Sequence, residues 1–314
     1  MKSPDSQLAV QFDNVTKAFA TTLAVRGLSF PVRKGCIFGL LGPNGAGKTT
    51  TIRLLTGILH ATGGSVSVLG GNAPPQVRSR IGYLPEEKGL YKRMRVRDYL
   101  VFAARLKELA KSEAQTRADA LLERFAFEEW RSERCDRLSK GMGQKVQIMA
   151  TLIHEPDLVV LDEPFSGLDP VNVELVRVMM REIRDGNRTV VFSTHVMEQA
   201  ELLCEDLVLI NKGKTVLAGN LSEILAGYGN SVRIHYQGNG AALRDLDEVL
   251  SVSDTGQTAE LRMRQDADTQ ALLAKLIQRV EVRKFDLTHL SIHEVFLREV
   301  NATPPTESGE SDDA

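Results

Sequence analysis

The chain has 314 residues, of which 42% are hydrophobic and 25% charged, an ordinary globular composition with room for more than one domain. The 39 Lys and Arg residues nearly balance the 41 Asp and Glu residues, for a formal net charge of -2, so nucleic acid is excluded as an expected partner. No apolar run approaches the roughly 18 to 20 residues that cross a bilayer, and residues 1 to 7 hold no signal-peptide apolar core. Any membrane role is therefore expected to come through a partner.

The cysteines predict a reducing compartment. Cys36, Cys135 and Cys204 are widely spaced, odd in number, and outside any Cys-x-x-Cys or Cys/His cluster. A reducing cytosol is the simplest interpretation of this pattern.

The first elements of the chain predict a strand, a loop and a helix in succession. Short apolar runs between residues 8 and 30, broken by turn-forming residues, predict a β-rich start. A compact apolar run at 36 to 41 predicts a strand, and helical periodicity from 48 to 59 predicts a helix. A glycine-rich segment joins the two.

Strands and helices then alternate as far as residue 210. The predicted strands are at 65 to 70, 81 to 84, 158 to 161, 189 to 192 and 207 to 210, and the predicted helices at 96 to 130, 139 to 154 and 173 to 184. Apolar strands between helices are typical of a mostly parallel sheet covered on both faces. We interpret the strongly charged stretch from 96 to 130 as a helical insertion.

A second unit is predicted to begin near residues 226 to 230. Its strands are expected at 231 to 236, 259 to 263 and 282 to 286, and its helices at 269 to 280 and 291 to 300. This mixture predicts a small α+β domain. The tail from 301 to 314 is rich in Pro, Ser and acidic residues, which predicts disorder.

The glycine-rich segment fits the phosphate-loop pattern G-x-x-x-x-G-K-T in full. Its residues are Gly42, Pro43, Asn44, Gly45, Ala46, Gly47, Lys48 and Thr49. It follows a predicted strand and opens a predicted helix, the context that distinguishes a phosphate loop from a glycine-rich turn. We expect backbone N–H groups and Lys48 to bind phosphate oxygens, and the Thr49 hydroxyl to ligate Mg²⁺.

Two carboxylates follow the buried strand 158 to 161. Asp162 is expected to hold Mg²⁺ through water, as the acidic strand-end residue of phosphate-loop NTPases does, and Glu163 to accept a proton from the attacking water. An isolated Asp-Glu pair is usually a solvated turn, but a complete phosphate loop in the same chain favours the catalytic interpretation.

His195 follows another predicted strand. A lone histidine is more often structural than catalytic, but ligands bind at the carboxyl ends of parallel strands, so His195 is placed to reach the γ-phosphate. His289 and His293 have i,i+4 spacing without matching ligands, and we interpret them as surface residues.

A third motif, Leu138-Ser139-Lys140-Gly141-Met142, lies between the phosphate loop and the acidic strand end. Serine and glycine at a helix start present a hydroxyl and bare N–H groups that can hold a phosphate. Within one chain this second phosphate-binding edge has no obvious role. It is explained if it closes over a nucleotide bound by a second copy of the protein.

With these motifs, about 220 residues of the chain resemble the ATP-binding subunit of ABC transporters. Walker A is 42 to 49, the signature is 138 to 142, Walker B ends at Asp162 and Glu163, the D-loop is 166 to 169, and the switch histidine is His195. The resemblance implies nucleotide contacts by Phe19, Gly42, Pro43, Asn44, Gly45, Ala46, Gly47, Lys48, Thr49, Thr50, Ser139, Gly141 and Asp169. Phe19 is taken as the adenine-stacking aromatic, with Phe12 as the nearby alternative.

The resemblance also implies a fold and a domain plan. The expected fold class is α/β, a phosphate-loop NTPase of the ABC ATPase type with a mostly parallel sheet, a β-rich N-terminal part and a helical subdomain, plus a small C-terminal α+β domain. The expected ATP-binding domain is 7 to 222 with a helical subdomain at about 87 to 145, and the accessory domain is 223 to 300.

Two departures from the family pattern bear on function. Glu86 stands where the family carries the Q-loop glutamine; it can still contact Mg²⁺ or water, but adds negative charge near the γ-phosphate. Lys140 and Met142 replace the usual glycine and glutamine of the signature. Together with the segment 290 to 296, these features resemble the branch that serves ABC-2-type exporters, including ATPases of the NatA kind.

A basic stretch lies where the family docks its membrane partner, although a solvated charged surface explains it equally well. Its members are Lys88, Lys92, Arg93, Arg95 and Arg97.

The resemblance implies ATP and Mg²⁺ as cofactors, and an integral membrane permease and a second copy of the chain as partners. The expected location is the cytoplasmic face of the cell membrane. A soluble ABC-type ATPase acting on ribosomes or DNA is the main alternative, but the chain has one cassette and only a short helical insertion. A regulatory ATP sensor is a third, disfavoured by Glu163 and His195.

Overall fold

The computed structural model describes residues 7–71, 74–87, 89–264 and 267–302. These residues divide into two compact units between Gly219 and Asn220. The strands are β1 Leu8–Phe19, β2 Thr22–Arg33, β3 Ile37–Leu41, β4 Gly63–Val68, β5 Ile81–Leu84, β6 Leu158–Leu161, β7 Thr189–Thr194, β8 Asp206–Asn211, β9 Lys214–Asn220, β10 Asn230–Gln237, β11 Val249–Asp254, β12 Thr258–Met263 and β13 Glu281–His289. The helices are α1 Lys48–Leu55, α2 Val96–Leu106, α3 Lys111–Arg124, α4 Lys140–Leu152, α5 Pro170–Asp185, α6 Met197–Glu201, α7 Leu221–Gly227, α8 Thr269–Arg279 and α9 Ile292–Ala302.

The first unit is built on a six-stranded sheet of order β5-β6-β7-β3-β8-β9. The neighbouring pairs β5–β6, β6–β7, β7–β3 and β3–β8 are parallel. Strands β3, β6 and β7 are buried at every position, which explains the apolar runs in their sequences. The α/β class predicted from the sequence is confirmed in this unit.

A three-stranded antiparallel sheet of order β2-β1-β4 forms the β-rich start of the chain. Phe12 and Phe30 stack with ring centroids 4.6 Å apart, and Phe30 and Phe38 stack at 5.6 Å. Phe38 belongs to β3, so these rings join the two sheets in one hydrophobic core.

The predicted helical insertion consists of two helices, α2 and α3, rather than one. Glu108 has a φ of 65°, a left-handed conformation that an α-helix does not continue through. Arg97 joins the two helices by donating from Nε and Nη2 to the carboxylate of Asp119, both at 2.7 Å. Arg97 therefore has a structural partner, while Lys92, Arg93 and Arg95 are exposed and Lys88 lies outside the described residues.

The second unit is an antiparallel sheet of order β11-β12-β10-β13 with its own hydrophobic core. Leu272 and Leu276 of α8 are fully buried in that core. Helix α7 begins the unit, and the Asn220 side chain caps it by accepting from the N–H groups of Ser222 and Glu223. The sequence predicts disorder from residue 301, but Asn301 and Ala302 belong to α9, whose helix continues to that point. The rest of the predicted tail, from 303 onward, lies outside the described residues.

The three cysteines are free and buried. Burial raises the pKa of Cys36 to about 12 and raises the pKa values of Cys135 and Cys204. Among the described residues, no helix combines the length and the apolar character that crossing a membrane requires.

Candidate functional site

The phosphate loop joins the carboxyl end of β3 to the first residue of α1, as its sequence predicts. Gly42 has a φ of 150°, and a Cβ there would lie 2.1 Å from the carbonyl oxygen of Ile210. Gly47 has a φ of 106°, and a Cβ there would lie 2.7 Å from the carbonyl oxygen of Ala24. Any larger residue would displace the backbone at both positions, so the loop conformation depends on glycine.

A cavity of about 360 Å³ opens on this loop. It is lined by Ala24, Asn44, Gly45, Gly47, Lys48, Thr49, Thr50, Glu86 and Glu163. The structure thus brings Glu86 and Glu163, which are far apart in sequence, to the same cavity as the phosphate loop. The space, the backbone N–H groups at the start of α1 and the Lys48 ammonium suit a polyphosphate.

Lys48 is buried and has three oxygen partners. Its Nζ donates to the carbonyl oxygens of Gly42 at 2.9 Å and Pro43 at 3.3 Å. The same Nζ lies 3.3 Å from Oε1 of Glu163, and both side chains are less than 10% exposed. The ammonium is therefore fixed at the mouth of the loop and linked directly to the expected catalytic carboxylate.

Glu163 is held between Lys48 and His195. His195 Nδ1 lies 3.0 Å from Oε2 and 3.1 Å from Oε1 of Glu163. The Glu163 backbone has a φ of 47°, a conformation that costs a non-glycine residue free energy and is often found at functional sites. The carboxylate can accept a proton, and the histidine beside it can donate a hydrogen bond.

Asp162 is almost fully buried, and Ser193 is its partner. The Ser193 hydroxyl donates to Oδ1 of Asp162 at 2.5 Å and accepts from the Glu163 N–H at 2.9 Å. Burial raises the pKa of Asp162, while hydrogen bonds from Ser193 and Thr49 act in the opposite direction. The sequence did not single out Ser193; the available signal was a hydroxyl two residues before His195 at the end of a buried strand.

The residues present fit a magnesium ion. Oδ2 of Asp162 is buried and has no hydrogen-bond partner within the described residues, and a buried acceptor without a partner is costly. No cluster of three or more His, Cys, Asp or Glu side chains suited to a metal occurs in the described part of the chain. Mg²⁺ requires none, because it binds through one or two carboxylates, waters and substrate phosphates. Asp162 and Thr49 would be its protein contacts, and Glu86 faces the same cavity.

The two candidate adenine-stacking rings differ in exposure. Phe19 is the last residue of β1 and is 43% exposed, with Lys17 Nζ lying 5.1 Å from its ring centroid. Phe12 is fully buried and stacks on Phe30. Phe19 therefore has a free ring surface, and Phe12 belongs to the core.

The signature motif starts a helix, as predicted, but lies outside the phosphate-loop cavity. Ser139 is the N-cap of α4, and its Oγ accepts from the Met142 N–H at 3.2 Å. Asp169 similarly caps α5 by accepting from the Asn172 N–H at 3.0 Å, which lowers the pKa of Asp169. Ser139, Gly141 and Asp169 are not among the residues that line the cavity.

Two family models match the chain, one in each unit. Residues 25–166 match the family model of the ABC transporter, and residues 219–300 match that of the C-terminal domain of DrrA1-3-like ATP-binding proteins. The chain is 41% identical to the uncharacterized ABC transporter ATP-binding protein YhaQ of Bacillus subtilis (strain 168), over 92% of this chain and 98% of that protein.

Two further relatives bear on function. The Nod factor export ATP-binding protein I of Paraburkholderia xenovorans (strain LB400) is 33% identical over 93% of this chain and 97% of its own length. The solved structure of cbiO1 from Clostridium perfringens, described as part of the ABC transporter complex cbiONQ, is 25% identical with a TM-score of 0.65 and covers 70% of this chain and 91% of its own. The chain belongs to the ATP-binding subunits of ABC transporters, which hydrolyse ATP to power transport.

Proposed function

We propose that two copies of this chain close around two ATP molecules and thereby drive an ABC-2-type exporter. The observation that carries the proposal is the position of Glu163, which lies between Lys48 and His195 on the phosphate-loop cavity while the signature lies outside that cavity. One subunit then supplies the phosphate loop and the catalytic carboxylate. The other supplies Ser139 and Gly141 to the same nucleotide.

Each residue of the site has a role in this cycle. Loop N–H groups and Lys48 hold the β- and γ-phosphates, Phe19 stacks on adenine, and Thr50 completes the loop's contacts. Glu163 accepts a proton from the attacking water, and His195 contacts the γ-phosphate and orients Glu163. Mg²⁺, held by Thr49 and Asp162 with Glu86 nearby, would offset phosphate charge. Hydrolysis reopens the pair.

The proposal includes the domain plan, the partner and the location. We assign ATP binding to residues 7 to 222, the helical subdomain to about 87 to 145, and an accessory role to 223 to 300. The subunit works at the cytoplasmic face of the membrane, bound to an integral membrane permease. The Nod factor export relative supports export, and the cbiONQ relative supports assembly with other subunits. Exposed Lys92, Arg93 and Arg95 are offered as part of the permease-docking surface.

Affinity purification of the full chain from detergent-solubilised membranes tests the partner. We expect a multi-span membrane protein in stoichiometric amount. A variant in which Lys92, Arg93 and Arg95 are replaced by Ala tests the docking surface, and Lys214→Ala, an exposed lysine in β9, is the charge-removal control. Recovery of ribosomes or DNA, or of no partner, contradicts the proposal.

A further inference from the structure

Strand β13 forms one edge of the four-stranded sheet in the second unit. It covers Glu281–His289 and pairs with β10 on one side. On its other side, the described part of the chain supplies no paired strand, and the free backbone groups of such an edge can accept a further strand. Leu287 is 49% exposed, and Arg283 and Lys284 are exposed as well. This edge therefore lies at the surface of the chain.

The middle of β13 alternates between the core and the opposite face of the sheet. Phe285 lies opposite Ile234 and packs against the core of the unit. Lys284 and Asp286, on either side of it, belong to the other face, as alternate strand residues do. On that face Lys284 Nζ lies 2.5 Å from Oδ2 of Asp286. A cation and an anion thus flank a central aromatic residue.

The order of these residues makes the edge complementary to itself. In an antiparallel pairing of two β13 strands about a two-fold axis at Phe285, each Lys284 lies opposite Asp286 of the partner subunit. Side chains directly opposite on one face interact, and opposite charges there are stabilising. An axis at Lys284 or at Asp286 would instead place like charges opposite each other. The charges therefore favour a single register.

The other edge of the sheet, β11, lacks this property. Its sequence, Val249–Asp254, contains one charged residue, Asp254. That carboxylate already accepts from the Tyr236 hydroxyl at 2.8 and 2.9 Å. The register of β11 against β12 also shifts between Val249 and Ser251. Self-pairing of β11 would form no pair of opposite charges, so β13 is the better candidate.

A bulge in β13 limits the size of the contact. His235 lies opposite Lys284 and Tyr236 lies opposite Val282, which leaves Arg283 as an extra residue. Such a bulge bends the strand and disrupts pairing beyond it. With the axis at Phe285, regular pairing is therefore confined to 283–287 of each copy. Interfaces this small are weak and transient.

We propose that β13 is a self-association edge, through which the second units of two copies join their sheets in an antiparallel pair centred on Phe285. The contact needs no nucleotide, so it goes beyond the proposed closure around ATP. It keeps two copies near each other when ATP is absent. The local concentration of each copy for the other is thereby raised.

Sedimentation equilibrium of the full chain in Mg-ADP, from about 10 µM to about 1 mM, tests the proposal, because weak complexes dissociate in this range. We expect a monomer–dimer equilibrium in wild type. Lys284→Asp and Asp286→Lys each convert both attractive contacts between copies into repulsive ones, and each is expected to raise the dissociation constant about 10-fold or more. Lys214→Asp makes the same charge change at an exposed lysine of β9 and is the matched control.

An equimolar mixture of the Lys284→Asp and Asp286→Lys variants separates contact between copies from effects within one copy. The mixed pair again places opposite charges across the axis, whereas positions 284 and 286 carry like charges within each strand. Association in the mixture is therefore expected to return to about the wild-type level. No recovery in the mixture overturns the proposal, as does a wild-type chain that stays monomeric or a dimer that neither substitution weakens. Because ATP is absent, none of these results contradicts the proposed closure.

A cross-linking experiment tests the register. A mixture of Lys284→Cys and Asp286→Cys brings one thiol opposite the other across the axis, within the range of a disulfide. With oxidised glutathione as the oxidant, we expect disulfide-linked dimers from the mixture in Mg-ADP and far fewer from either variant alone. The native thiols are buried, so they should not react. Linked dimers in equal amounts from the single variants and the mixture would contradict the register.

Discussion

Lys48 and Glu163 form a buried ion pair, with Nζ 3.3 Å from Oε1 and both side chains less than 10% exposed. The pair joins the residue expected to bind the phosphates to the residue expected to activate water. The position of the catalytic carboxylate therefore depends on the phosphate-loop lysine, and the two residues affect both stability and catalysis.

Lys48→Ala is expected to abolish tight ATP binding and to lower the free energy of unfolding by about 3 to 5 kcal/mol, because it leaves Glu163 as a buried charge without its cation. In the double variant Lys48→Ala with Glu163→Gln, the buried charge is removed. We expect stability to recover in the double variant while ATP binding stays lost. Urea unfolding and equilibrium ATP binding measure the two quantities, and a double variant no more stable than Lys48→Ala contradicts the argument.

Glu163→Gln alone is expected to retain ATP binding and to lower kcat by about 100- to 10,000-fold, the range for loss of a general base. Without hydrolysis the closed pair does not reopen, so the variant should be a stable dimer in Mg-ATP. Light scattering after size exclusion measures this, with ADP as the nucleotide control. Turnover equal to that of wild type would exclude Glu163 as the base.

Ser193→Ala is expected to move the midpoint of the pH dependence of Mg²⁺ activation to a higher pH. Burial already raises the pKa of Asp162, and the Ser193 hydrogen bond opposes that shift. Removing the hydroxyl raises this pKa further, and Mg²⁺ requires the carboxylate form. The apparent Mg²⁺ affinity should therefore begin to fall at a higher pH than in wild type as the solution is acidified. An unchanged midpoint contradicts this assignment.

The same substitution, Ser193→Ala, is also expected to lower the free energy of unfolding. A carboxyl group whose pKa is higher in the folded protein than in the unfolded chain lowers the free energy of unfolding as the pH rises. The loss begins near the pKa of the unfolded chain and is complete above the pKa of the folded protein. Ser193→Ala adds to this effect and leaves the Glu163 N–H without its buried acceptor, at a cost of about 1 to 3 kcal/mol. The loss should be larger at neutral pH than in acid, which urea unfolding at the two pH values measures.

Phe19→Ala is expected to weaken ATP binding about 10-fold, since base–aromatic stacking contributes roughly 1 to 3 kcal/mol. Phe19→Trp keeps an aromatic surface and should restore binding. Because Phe19 is 43% exposed, neither variant should alter the melting temperature appreciably. Phe12→Ala is the contrasting control, expected to cost about 3 to 5 kcal/mol of stability through a cavity in the core. Wild-type ATP affinity in Phe19→Ala would exclude the stacking role.

The parts of the site that depend on local sequence were predictable. The phosphate loop has fixed spacing, and the apolar runs before it and before Asp162 identify the strands whose ends lie at the site. The helix that begins at the signature followed from the periodic segment after Ser139. Each of these features is determined by residues close together in the chain.

The parts that depend on strand register were not predictable. Ser193 reaches Asp162 because β6 and β7 pair with Leu161 opposite Phe192, and no local pattern specifies that register. In the second unit, β11 escaped prediction because it is largely exposed apart from Val249, and its apolar alternation is therefore weak.

The buried thiols have a practical consequence for spectroscopy. All three cysteines are shielded, and their raised pKa values keep them in the unreactive thiol form at neutral pH. A cysteine introduced at an exposed position, such as Leu106, which is 67% exposed, would react selectively with a maleimide dye or spin label. The native cysteines therefore do not have to be removed before labelling. Distances between labelled copies can then be followed through the ATP cycle.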